Sequence, residues 1–136
     1  MPVFLDSNVF IYAAGAESPL KAPCVQILRR VAAGDLDAIT SAEVVQELHH
    51  VFRRRGRLAD GLRLGREVVR LFPGLLPITR ADISRSADLL TARPQLSPRD
   101  ALHAATALNN GVSTIVSADA DLDQVDGLTR LDPTVA

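Results

Sequence analysis

Short aliphatic runs alternate along this chain with longer stretches whose apolar residues recur at helical spacing, and that alternation confines the fold more than any other feature. Val3-Phe4-Leu5 predicts a first strand, and residues 8–14 predict a short helix leaving it. Pro19 opens a helix reaching about Ala33, where Gly34 stops it. Asp37 to Thr40 reads as a weak second strand. From Thr40 onward Val44, Val45, Leu48, Val51 and Phe52 recur with helical spacing until Gly56, and a further helix covers about Leu58 to Leu71. Leu75 to Thr79 predicts a strand, and about Arg80 to Ala92 a helix ending before Pro94. Ser97-Pro98 starts a helix that runs to Asn109. Val112 to Val116 is the clearest strand, rich in β-branched residues, and a last short strand is expected near Leu128 to Leu131.

Strands alternating with helices of this length imply βαβ units. The expected fold class is α/β: a three-layer α/β/α sandwich with a central, mainly parallel sheet, built as one domain over residues 1–136. Apolar residues make up 47% of the chain and aromatics only 4%, so its core must be aliphatic. In open sheets of this kind, chemistry gathers beyond the carboxyl ends of the strands. Asp6 stands there, interrupting the apolar run "VFLDSNVFIYA".

Three further acids share that logic. Glu47 lies in "SAEVVQELHHVF", on the helix after the second strand; Asp100 lies in the first turn of "LSPRDALHAATAL"; Asp119 follows the strongest strand in "TIVSADADLD". Carboxylates gathered together raise one another's pKa values, whereas a hard divalent cation takes oxygen ligands and keeps them ionised. Such a site can activate water for attack on a phosphodiester. Each acid also has a purely structural explanation. Asp6 suits a helix N-cap, Ser97 to Asp100 and Thr40 to Glu43 both read as capping boxes, and Asp119 suits a turn. Glu43 is then a cap, and Glu47, one turn further on, is not explained by capping.

The segments "FLDSNVFIY", "SAEVVQELHHV", "SPRDALHAATAL" and "IVSADADLD" resemble the four acidic motifs of the PIN-domain family, in family order and over nearly the whole chain. The length resembles the VapC-type toxins of bacterial toxin–antitoxin pairs. The resemblance implies an endoribonuclease dependent on Mg²⁺ or Mn²⁺, with Asp6, Glu47, Asp100 and Asp119 as its acidic pocket. Asp6 and Asp100 are expected as direct ligands, and Glu47 and Asp119 as ligands or holders of bound water. Ser7, Asn8 and Ser117 would orient these acids by hydrogen bonds, and Asp121 is the family's variable acidic neighbour; Ser117 stands where Thr is more frequent. The resemblance further implies an RNA substrate, a homodimer, and a cognate VapB-like antitoxin whose C-terminal segment covers the pocket. Two other roles are open to the same residues: a PIN-fold nuclease of RNA maturation, and a catalytically silent binding module.

Other signals are weaker. Asp119, Asp121 and Asp123 mimic the start of an EF-hand loop, but Gln124 and Arg130 stand where that loop needs Gly and Glu. A haloacid-dehalogenase-like site needs a second Asp where Asn8 stands, and a receiver domain needs a late Lys, whereas Lys21 is the only lysine. Net charge is −1, which excludes a generally basic nucleic-acid coat but allows a local patch such as Arg53-Arg54-Arg55-Gly56-Arg57. The three histidines lack metal-ligand spacing with cysteine, and His103 is expected to lie near the site helix without ligating. A single cysteine, Cys24, reads as core and fits a reducing cytoplasm. No run approaches the roughly 20 apolar residues of a membrane span, so no membrane partner is expected.

Overall fold

The computed structural model describes residues 1–136. Its strands are β1 (Val3–Leu5), β2 (Ala38–Ile39), β3 (Thr114–Val116) and β4 (Thr129–Leu131), all parallel, in the order β2-β1-β3-β4. Phe4 pairs with Ile39 on one side and Ile115 on the other, and Ile115 pairs in turn with Arg130. The two central strands are buried on both faces, so they read as continuous apolar runs rather than alternating ones. Phe4, Leu5, Ile115 and Val116 are fully inaccessible and sit in one hydrophobic core.

The helices are α1 (Ser7–Ala14), α2 (Lys21–Ala32), α3 (Ala42–Arg54), α4 (Leu58–Leu71), α5 (Arg80–Ala92) and α6 (Pro98–Asn109). They pack chiefly in the pairs α1 with α2, α3 with α4, and α5 with α6. The expected three-layer parallel α/β architecture is the one observed. No helix is long and apolar enough to cross a membrane.

Three local expectations shift. Leu75 to Thr79 does not form a strand and contributes only a parallel bridge between Ser41 and Leu76. Leu76 donates to Thr40 O (3.0 Å) and accepts from Ala42 N (2.8 Å), but Pro77 has no N–H with which to extend the ladder. Thr79 is already committed to capping α5, in a reciprocal box with Asp82. At the other end, α2 begins at Lys21 rather than Pro19; Pro23 lies within its first turn, where a missing N–H costs no helical bond. Strand β3 begins two residues late because Gly111 (φ 74°) and Val112 close α6, the latter donating to Ala107 O at 3.0 Å.

Helices α3 and α4 approach closely because Gly61 and Gly65 of α4 face α3. A methyl group on Gly61 would lie 2.5 Å from Phe52 Cβ, and one on Gly65 would lie 2.7 Å from His49 Nε2. The first neighbour is the rigid base of a buried ring; the second is the end of a movable side chain. Gly61→Ala should therefore lower unfolding free energy by about 1–3 kcal/mol, despite alanine's better helix propensity. Gly65→Ala should cost less. Urea denaturation of both variants checks this, and a Gly61→Ala protein as stable as the parent would refute the close approach.

Candidate active site

Asp6 leaves β1 at its carboxyl end, its N–H bonded to Val116 O (3.1 Å), and becomes the N-cap of α1. One carboxylate oxygen, Oδ1, accepts from Ser7 N (2.7 Å). The other, Oδ2, accepts from Ser117 Oγ (2.6 Å) and Asn8 Nδ2 (3.2 Å). Ser117 Oγ also accepts from Asn8 Nδ2 (2.9 Å) and from Asp119 N (3.0 Å), tying the ends of β1 and β3 together. Capping and site geometry thus coincide in one residue. Asp6 is only 2% exposed, and that burial raises its pKa against the opposing pull of His103 and Ser117.

Glu47 sits on α3, whose N-cap is Ser41 accepting from Val44 N (3.3 Å). The expected box from Thr40 to Glu43 is not formed, because Thr40 Oγ1 donates instead to Leu5 O (2.9 Å). Both oxygens of Glu47 are held: Oε2 accepts from Ser7 Oγ, and Oε1 lies 2.9 Å from His103 Nε2. Burial works against the charge of Glu47, but the bonds to His103 and Ser7, helped by Arg99, bring its pKa below the ordinary value. His103 lies wholly inside the protein on α6, its Nε2 also 3.8 Å from Asp6 Oδ1. Burial opposes a charge on this imidazole, yet the surrounding carboxylates outweigh it and raise its pKa.

Asp100 opens α6, where Ser97 Oγ accepts from its N–H (3.1 Å) and Pro98 occupies the first turn. Its carboxylate does not return to Ser97. Instead Asp100, Asp119 and Asp121 each bring one oxygen within 4.8 Å of the others. Asp119 also caps the 3₁₀ helix Ala120–Gln124, accepting from Asp121 N (2.9 Å). Burial first, then the neighbouring Asp119 and Asp6, push the Asp100 carboxyl up to about 7. The expected set of acids is therefore drawn to one end of the sheet but divided. Asp6 and Glu47 are held by protein donors, while Asp100, Asp119 and Asp121 converge at a mouth open to solvent.

That mouth fits a divalent cation. Its donors are all carboxylate oxygens, and one of them is held partly protonated at neutral pH by burial and by the negative charge of its neighbours. No cysteine or histidine completes a zinc-type set there. The sign of the pH effect follows. A carboxyl raised from 3.8 to about 7 stabilises the fold fully below the lower value and loses that contribution as pH rises through the upper one. In EDTA, Asp100→Asn should flatten the fall in Tm between about pH 4 and about pH 8. Scanning calorimetry across that range checks it, and an unchanged slope would contradict the raised pKa.

Two residues matter more than sequence reading suggests. His103 was expected only nearby, yet it joins Glu47 to Asp6; the signal was its place one turn after Asp100, the single imidazole on a buried face made mostly of alanine. Asp121, expected as a variable neighbour, is a full member of the converging trio. The arginine run divides. Arg55 and Arg57 stack over Phe52 (5.9 and 5.3 Å), and Arg57 pairs with Asp60, while Arg53 and Arg54 stay exposed without ion pairs. Asp123 is turned to Arg130 (2.8 Å), away from any EF-hand arrangement, and burial pushes the Cys24 thiol up to about 11, as suits a core residue. The largest cavity, about 390 Å³ between Val31, Ile39 and Phe72, holds none of the site acids.

Fold and site together define a parallel α/β domain with an acidic cluster across the carboxyl ends of its central strands. The chain belongs to the PIN-domain family, whose model matches residues 3–128. Among curated proteins it is similar to Ribonuclease VapC7 of Mycobacterium tuberculosis, 38% identical over 127 residues that cover 90% of this chain and 88% of that protein. Among solved structures, FitAcB from Neisseria gonorrhoeae superposes with a TM-score of 0.75 at 20% identity, covering 97% of this chain and 98% of that one. VapBC2 from Rickettsia felis, bound to a DNA fragment from its promoter, gives 0.73 at 15% identity, covering 96% and 98%.

Proposed function

We propose that this protein is a VapC-type endoribonuclease, the toxin of a type II toxin–antitoxin pair, that hydrolyses RNA phosphodiester bonds with Mg²⁺ or Mn²⁺. The observation that carries the reading is the convergence of Asp100, Asp119 and Asp121 beside the buried Asp6, in a chain 38% identical to a named ribonuclease. Asp100, Asp119, Asp121 and Asp6 would hold the cation, and Glu47 would hold water bound to it; a divalent ion there supplies charge neutralisation at the phosphate and lowers the pKa of water. The chain's own residues do the rest. Ser117 and Asn8 fix the Asp6 carboxylate, Ser7 and His103 fix that of Glu47, and the exposed rim gives a polymeric backbone access. The exposed Arg99, within electrostatic reach of Glu47, is placed to meet a phosphate.

A single domain over residues 1–136 acting in the cytoplasm fits the one continuous core and a lone, buried Cys24. The similar folds of VapBC2 from Rickettsia felis and of a toxin–antitoxin complex from Klebsiella pneumoniae support a VapB-like antitoxin as partner. A homodimer belongs to the same reading, and light scattering tests it. The activity itself is tested with purified protein on labelled RNA: cleavage should vanish in EDTA and return with Mg²⁺ or Mn²⁺. Cleavage undiminished by chelator would reject the metal-dependent reading.

A further inference from the structure

Resting on that reading of the site, we propose that His103 is a positioning residue that acts through Glu47, its Nε2–H locking one carboxylate oxygen while Ser7 Oγ locks the other. His103 lies on the apolar face of α6, 6.1 Å from the Phe4 ring, and is inaccessible to solvent. Its Nδ1 is buried with no hydrogen-bond partner. A polar atom left unpaired in the core is unfavourable, and a leucine or phenylalanine in its place would avoid that penalty. Filling space therefore does not account for an imidazole here. What the ring contributes is Nε2, 2.9 Å from Glu47 Oε1 and 3.8 Å from Asp6 Oδ1.

The contact does not depend on how the ring titrates. An ionised carboxylate only accepts, so Nε2 carries the hydrogen whether the imidazole is neutral or charged. Ser7 closes the arrangement, because its N–H bonds Asp6 while its hydroxyl bonds Glu47. Glu47 is thus fixed relative to Asp6 by donors from two other helices, α1 and α6. A glutamate side chain with three rotatable bonds has no such definition by itself. Preorganising that charge beside Asp6 is what His103 provides.

The test compares His103→Leu, which removes the donor, with His103→Gln, whose amide N–H reaches a similar distance, and His103→Asn, whose amide is too short. Cleavage of an RNA oligonucleotide in Mg²⁺ is measured together with Mn²⁺ affinity of the RNA-free protein by electron paramagnetic resonance. His103→Leu should lower kcat by roughly 10- to 100-fold with KM for RNA little changed, and weaken Mn²⁺ binding by roughly tenfold. His103→Gln should recover most of both. In a Glu47→Gln background, His103→Leu should cost nothing further, because the residue through which it acts has already been altered. Full activity and Mn²⁺ affinity in His103→Leu, or an equal loss in both backgrounds, would overturn the proposal. If His103→Leu does not fold, the Gln and Asn variants decide: equal activities would overturn it, and an active Gln with an impaired Asn would support it. A wild-type protein that neither binds Mn²⁺ nor cleaves RNA would overturn the nuclease reading itself, which separates the two failures.

Discussion

Asp6→Asn is expected to reduce RNA cleavage by on the order of a thousandfold while leaving the protein folded. The contrast arises because Asp6 has two separable tasks. As an N-cap it needs only an acceptor for Ser7 N, which the asparagine oxygen supplies about as well. Its other oxygen accepts from Ser117 and Asn8, and an amide nitrogen there would turn both contacts donor-to-donor. Ser117 Oγ already accepts from Asn8 and from Asp119 N, so it cannot also accept from the new amide; its hydroxyl hydrogen must turn elsewhere, while Asn8 keeps its bond to Ser117. Removing a buried negative charge, whose desolvation already raises the Asp6 pKa, offsets the remaining loss. Stability should thus change by no more than about 1 kcal/mol. The gain in Tm on adding Mg²⁺ should shrink, since one anionic oxygen ligand has gone. Melting curves with and without Mg²⁺, alongside cleavage rates, separate the tasks. An Asp6→Asn protein cleaving at the parent rate would sink the site.

Glu47→Gln is expected to lower cleavage by roughly a hundredfold, and Glu43→Gln, one turn earlier on the same helix, to leave it unchanged. Both oxygens of Glu47 accept from side-chain donors, so a glutamine must place its own amide N–H against either Ser7 or His103. It also removes the charge that His103 faces. Glu43 has no part in that arrangement. Equal losses in the two variants would mean that the second acid of the site is the other glutamate.

The sequence makes some of this legible and hides the rest for physical reasons. Val3-Phe4-Leu5 and Ile115-Val116 are recognisable because a strand buried on both faces has to be apolar. The order of the strands is not readable, because the register of Phe4 against both Ile39 and Ile115 depends on how the crossover helices pack. Leu75 to Thr79 misleads for a local reason: its apolar pattern suits a strand, but Pro77 and the Thr79 cap forbid the ladder. At the site, the acids stand out by their position after strands or in first helical turns. What holds them does not. Ser7 and Glu47 are 40 residues apart and meet only through the packing of α1 beside α3. His103 reads as a core histidine until its partner on α3 is known.

The hydrogen bond between Ser117 and Asp6 joins residues 111 positions apart, and the two strands it ties lie side by side at the centre of the sheet. A growing polypeptide therefore cannot assemble this centre from its early part, however well the first helices form. Strand β1 waits, with one side unpaired, until β3 has also left the ribosome. Contacts so distant along the chain also close slowly. For a protein whose proposed substrate is RNA, that delay has a use: the newly made chain emerges amid ribosomal and messenger RNA while its cutting centre is still incomplete. Competence arrives only once β3 and the acids beyond it have emerged and packed against β1.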